Sequence, residues 1–150
     1  MKDAIPTFVL TIMGGVFVFV LGQISLKFFI EPIHELRSHI GKIADALIFY
    51  ANVYANPGCT AEQEQRNASD ELRKLASELM ARTAVVPLYG FACLIRALPS
   101  LSDIRKAHRA LIGLSNNVFR TAEPTLEGEA NEKRVADIKA ALKLPPELLA

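Results

Sequence analysis

The chain has 150 residues, a formal net charge of +1, and 51% hydrophobic residues, part of which is one apolar anchor at its start. A balance so close to neutral leaves no nucleic-acid footprint. Cys59 and Cys93 form neither a CxxC pair nor a His/Cys cluster and read as two reduced thiols.

From Ala4 to Leu26 the sequence is uncharged. At about 1.5 Å per residue this run spans roughly 35 Å, against a hydrocarbon core of about 30 Å, so residues 1–30 read as a single transmembrane anchor. The run exceeds the h-region of a cleaved signal, and no small-x-small cleavage site follows it. Thr11, Gly15, Val18, Gly22 and Ser25 recur at spacings of four and three. That places small residues on one helical face, where a second backbone approaches closely, and predicts a homo-oligomer. Lys27, Arg37 and Lys42 outweigh Lys2 across the span. The positive-inside bias therefore points to a cytoplasmic C-terminal part, as in a single-pass protein of a bacterial inner membrane. With the opposite orientation the two cysteines become candidates for a disulfide.

Beyond the anchor, Ile33, Leu36, Ile40, Ile43, Leu47, Tyr50 and Tyr54 repeat at three and four. This is the a/d seam of a coiled-coil-like stalk and extends the expected self-association to Leu36, Ile40, Ile43, Leu47 and Tyr50. Pro32 interrupts the join, where the seam takes two successive four-residue steps, Ser25 to Phe29 to Ile33. A hinge at the membrane surface and a straight rod that passes through Pro32 with only a kink are equally open there.

Asn56-Pro57-Gly58 breaks the stalk, and Thr60 with Gln63 forms a capping-box pattern ahead of a long helix from Ala61 to Val86. Stalk and helix have similar lengths, so a hairpin returns the chain to the bilayer near Val86. Ala84 to Ile95 is uncharged but too short to span a membrane, and Pro87 and Gly90 interrupt it. It reads either as an interfacial element or as a short core helix. In the interfacial reading Leu88, Tyr89, Phe91 and Leu94 meet membrane lipids, with Arg96 and the basic turn Arg105, Lys106, Arg109 near the headgroups. A solvated helical face also accounts for that basic turn.

Ser100 and Asp103 open a further helix to about Phe119. Residues 121–131 read as a linker. A final amphipathic helix, Glu132 to Lys143, carries a narrow apolar stripe suited to weak docking or to a protein partner. The expected division is an anchor at 1–30, a cytoplasmic stalk and bundle at 31–120, and a linker with a C-terminal helix at 121–150.

Glu31 and His34 have Glu-x-x-His spacing, but a di-iron bundle needs carboxylates from several helices and a second copy of the motif. No glycine-rich phosphate loop, GxSxG elbow or zinc-helix motif is present. The sequence therefore predicts an all-α, single-span protein that is not an enzyme, carries no cofactor and serves as an assembly, scaffold or signalling subunit. Alternatives are a membrane-perturbing effector or small oligomeric channel, and a metal-dependent enzyme using the ExxH pair.

Overall fold

The computed structural model describes residues 4–119 and 124–145; these residues are helical with connecting turns and include no strand. Helix α1 (Ala4–Ser25) passes through a π-helical turn (Leu26–Ile30) into α2 (Glu31–Phe49) without a break. Proline lacks an N–H, and its ring clashes with the carbonyl four residues earlier in an ordinary helix. The π-turn resolves this locally: the Glu31 N–H donates to the Leu26 carbonyl, five residues back, and Glu31 keeps helical dihedrals ahead of Pro32. Of the two expected joints, a hinge and a helix that passes through, the second forms, as a continuous helix carrying one extra residue. That residue is the one the two four-residue steps of the seam had introduced.

After α2 come α3 (Ala51–Ala55), α4 (Glu62–Ala84), α5 (Tyr89–Leu94), α6 (Leu101–Asn117) and α7 (Pro124–Leu142). Helices α2, α4, α6 and α7 form an up-down-up-down bundle. Arg82 near the end of α4 pairs with Glu35 near the start of α2. Arg73 in α4 bonds Asn116 at the end of α6, and Arg134 in α7 lies over Gly113 of α6. The core contains Leu36, Ile43, Leu47, Leu72, Leu79, Ile104, Leu111, Leu114 and Ile138, all buried. Full burial of one such side chain is worth about 1.5–3 kcal/mol.

This packing changes the expected use of the stalk. Leu36, Ile40, Ile43 and Leu47 are buried within their own chain, and Tyr50 packs against the same core. A three-four pattern of apolar residues specifies a buried face, not the identity of the partner, and here α4 supplies it.

Other boundaries also shift. The Thr60–Gln63 capping box does not form: α4 starts behind Ala61 without a side-chain cap, and Gln65 reaches back to the Thr60 carbonyl instead. At α6 the expected cap is present, with the Asp103 N–H donating to Ser100 Oγ at 3.1 Å and Ser100 Oγ to Asp103 Oδ2 at 2.6 Å. The largest difference is α7. It begins at Pro124, well ahead of Glu132, and occupies much of the stretch expected as a linker. Proline suits the first helical position. Gly128 then brings the helix close to α3, where an added Cβ would sit 3.0 Å from the Ala55 carbonyl oxygen. Buried Asn131 donates to the Tyr54 carbonyl at 2.9 Å. The helix is docked into the bundle along Val135, Ile138 and Leu142, not weakly held.

Candidate membrane-facing site

Every described large apolar side chain of α1 is exposed, from Phe8 to Ile24. The continuous helix contains the one stretch among the described residues that is long and apolar enough to cross a membrane, with mean hydropathy 2.1 over its best window and none of that window buried. Gly15 and Gly22 have open space where a Cβ would stand, and Ser25 is exposed, so the chain itself leaves the face they share with Thr11 uncovered.

The bundle has two ends, and its internal contacts determine which one meets α1. Glu35, about one turn beyond the π-helical turn, lies against Arg82, in the last turn of α4. The connection from Val85 to Pro99 therefore sits at the end where the apolar run of α1 emerges. Here the polarity is inverted. Small Ala92 is buried, together with Val86 and Leu98, whereas Leu88, Phe91 and Leu94 are 66%, 61% and 79% exposed and Val85 and Ile95 are exposed beside them. Leu88 is also held at φ 49°, a left-handed conformation that costs a leucine about 1–2 kcal/mol. Its side chain gains little packing within the chain in return.

Tyr89, expected at the headgroup level, also has a partner within the chain. It is half-buried, and its hydroxyl donates to the Pro99 carbonyl at 2.9 Å, a carbonyl that also accepts from the Cys93 thiol at 3.2 Å. Burial raises its pKa from 10.0 to about 12, with Cys93 and Asp103 adding to the rise. Tyr89 and Cys93 thus tie α5 to the segment that leads into α6, and loss of hydration also raises the Cys93 thiol. Both cysteines are free thiols.

The basic residues divide between two places. Lys106 and Arg109 line a groove of about 590 Å³ between α6 and α7, together with Arg134, Asp103 and Asp137, so cations and carboxylates alternate there. Arg105 instead borders a hollow with Thr83, Tyr89 and Leu101. Arg96 lies at the end of α5, on a cleft of about 340 Å³ that also takes Arg37 from α2 and Lys143 from the end of α7. In sequence Arg96 stands nearest the basic turn of α6; Lys143 joins it through the fold alone. The positive φ that Arg96 and Lys143 share is not visible in composition.

Among the described residues no group of three His, Cys, Asp or Glu side chains is placed to hold a metal ion. Glu31 and His34 are exposed at the base of α2. His39 is buried and hydrogen-bonds through Nε2 to the Leu75 carbonyl at 2.9 Å, with Nδ1 3.5 Å from Glu78. This histidine joins α2 to α4. Comparison with protein families, with curated proteins and with solved structures finds no significant match.

Proposed function

We propose that the protein is a single-span membrane subunit that holds a four-helix domain against one leaflet and serves as an assembly or scaffold element. One observation carries this reading: the exposed apolar helix α1 and the exposed apolar side chains of α5 occur at the same end of the bundle. An anchored domain that stood clear of the bilayer would have no use for Leu88, Phe91 and Leu94 on its underside. Such a patch in water carries an aggregation liability. In the headgroup layer it adds apolar burial to that of the span.

Self-association, in this reading, belongs to α1. The stalk seam is occupied, so the face of Thr11, Gly15, Gly22 and Ser25 is where a second copy packs. The lysine and arginine bias after the span favours a cytoplasmic bundle.

The test is made on the full chain in membranes. It should resist alkaline extraction, and a cysteine at position 2, in a Cys59→Ser, Cys93→Ser background, should react with an impermeant maleimide from outside while one at Glu129 does not. Particle mass in detergent should exceed that of one chain and fall with Gly15→Ile plus Gly22→Ile. Release from the membrane by alkali contradicts the anchor, and a monomeric wild type contradicts the assembly role.

A further inference from the structure

Arg37, Arg96 and Lys143 reach one cleft from three separate segments: the flank of α2, the end of α5 and the end of α7. Its floor is apolar, with Ile40, Leu98 and Leu142 buried beneath. Among the described residues none that lines it is a carboxylate, and none of the three cations forms an ion pair. Asp103 is the carboxylate whose field Lys143 reaches. Cations gathered in this way repel one another until an anion enters.

The backbone adds a second observation. Arg96 at φ 59° and Lys143 at φ 54° occupy the left-handed position that ends a helix, where glycine is the ordinary choice. The Leu144 N–H completes this ending by donating to the Lys139 carbonyl at 3.0 Å, and the Ala97 N–H does so with Ala92 at 2.9 Å. A cation just past a helix also complements the negative end of its dipole. A helix end makes no such demand on Arg37, and yet it lines the same cleft.

Position then identifies the ligand. Arg96 follows directly on the exposed residues of α5, and Arg37 stands about 10 Å along the helix from Ile30, near the headgroup layer that separates a hydrocarbon core of about 30 Å from a full bilayer of about 40–45 Å. Arginine and lysine stems are long enough to cover most of that distance. We propose that the cleft binds the phosphate of an anionic phospholipid, whose acyl chains run on over Phe91 and Leu94. The proposal rests on the membrane-apposed reading above. It also assigns the lipid a structural task. Helices α2 and α7 form no extended contact with each other, although α3 packs on α7 at the far end. The headgroup would bridge that open edge.

The experiment titrates delipidated full-length protein in neutral detergent with phosphatidylglycerol, phosphatidylcholine or soluble glycerol 1-phosphate, read by native mass spectrometry and by melting temperature. Phosphatidylglycerol should bind at one copy per chain and raise the melting temperature. Phosphatidylcholine and glycerol phosphate should do neither at the same concentration. Arg37→Gln with Arg96→Gly and Lys143→Gly should weaken lipid binding roughly tenfold or more. The same variant should melt no lower than wild type, because glycine relieves the left-handed strain. Lys106→Gln with Arg109→Gln should leave lipid binding unchanged. Equal binding of the two lipids overturns the proposal, as does retention of binding by the triple variant. Glycerol phosphate binding as tightly as the lipid overturns it in favour of a soluble phosphate site. Failure of the anchor itself reads out separately, as release from membranes by alkali.

Discussion

Arg82 Nη1 lies 3.3 Å from Oε2 of Glu35, joining the start of α2, where α1 leads in, to the last turn of α4. An exposed pair of this kind contributes roughly 0–1 kcal/mol, so its importance is geometric. It marks the register that the core packing of the hairpin sets, with His39 and Leu75 as the next rung. That register puts Val85 and all of α5 at the base of the domain. A shift of one turn along α4 would move the apolar connection by about 5.4 Å.

Because the stalk seam is core, its substitution acts on folding. Ile43→Asp buries an unpaired carboxylate among Leu36, Leu47 and their neighbours in the core. The expected cost is on the order of 4 kcal/mol or more. Circular dichroism of the full chain in detergent should show loss of cooperative melting. A stably folded Ile43→Asp protein that had only lost its partner copy would restore the seam to an intermolecular role.

The phenol of Tyr89 makes stability depend on alkaline pH. The folded protein keeps its proton until about 12, whereas the ordinary value is 10.0. The folded state therefore binds more protons in that window, and stability is complete below about pH 10 and declines as the pH rises towards 12. Tyr89→Phe should remove this component and lower stability at neutral pH by about 1 kcal/mol through the lost bond to Pro99. Denaturant melts at neutral and alkaline pH, compared between the two proteins, measure the difference. Parallel curves would show that Tyr89 is not the group responsible.

Much of the chain could be read before the structure was known, because three-four periodicity and turn residues are local signals. The long apolar run, the seam of α2, the break at Pro57 and Gly58 and the cap at Ser100 are of this type. Even the π-turn left a trace, in the two four-residue steps across Phe29. What escaped depended on tertiary contact. Gly128 and Asn131 look like linker residues, yet one allows close packing on Ala55 and the other bonds the Tyr54 carbonyl. Local preference is overridden where a distant segment provides the partner. The convergence of Arg37, Arg96 and Lys143 was hidden for the same reason, since their separation in sequence carries no sign of it.

Asn131 tests how α7 is held. Its Nδ2 serves the Tyr54 carbonyl, and its Oδ1 accepts from Arg134 at 3.0 Å, so a single side chain links α3 to α7 and steadies Arg134 over Gly113. Asn131→Leu should cost about 1–3 kcal/mol, leaving buried polar groups without partners. Gly128→Val should also destabilise, because its Cβ would stand 3.0 Å from the Ala55 carbonyl oxygen, a backbone atom that has to give way by a few tenths of an ångström. Hydrogen exchange should show opening of α7 ahead of α4 in both variants. Unchanged protection of α7 would mean that its apolar stripe alone holds it.

The proposed contact of the domain with the bilayer is tested most directly by depth. Leu94→Cys and Ile48→Cys, each in a Cys59→Ser, Cys93→Ser background, place an environment-sensitive fluorophore on exposed apolar sites at opposite ends of the bundle. The labelled full-length proteins are reconstituted in nanodiscs whose lipids carry a nitroxide just below the headgroup. A domain held against the bilayer gives strong quenching at position 94 and none at position 48. Absence of quenching at both, in a protein that remains inserted and folded, would contradict it and lift the domain off the membrane.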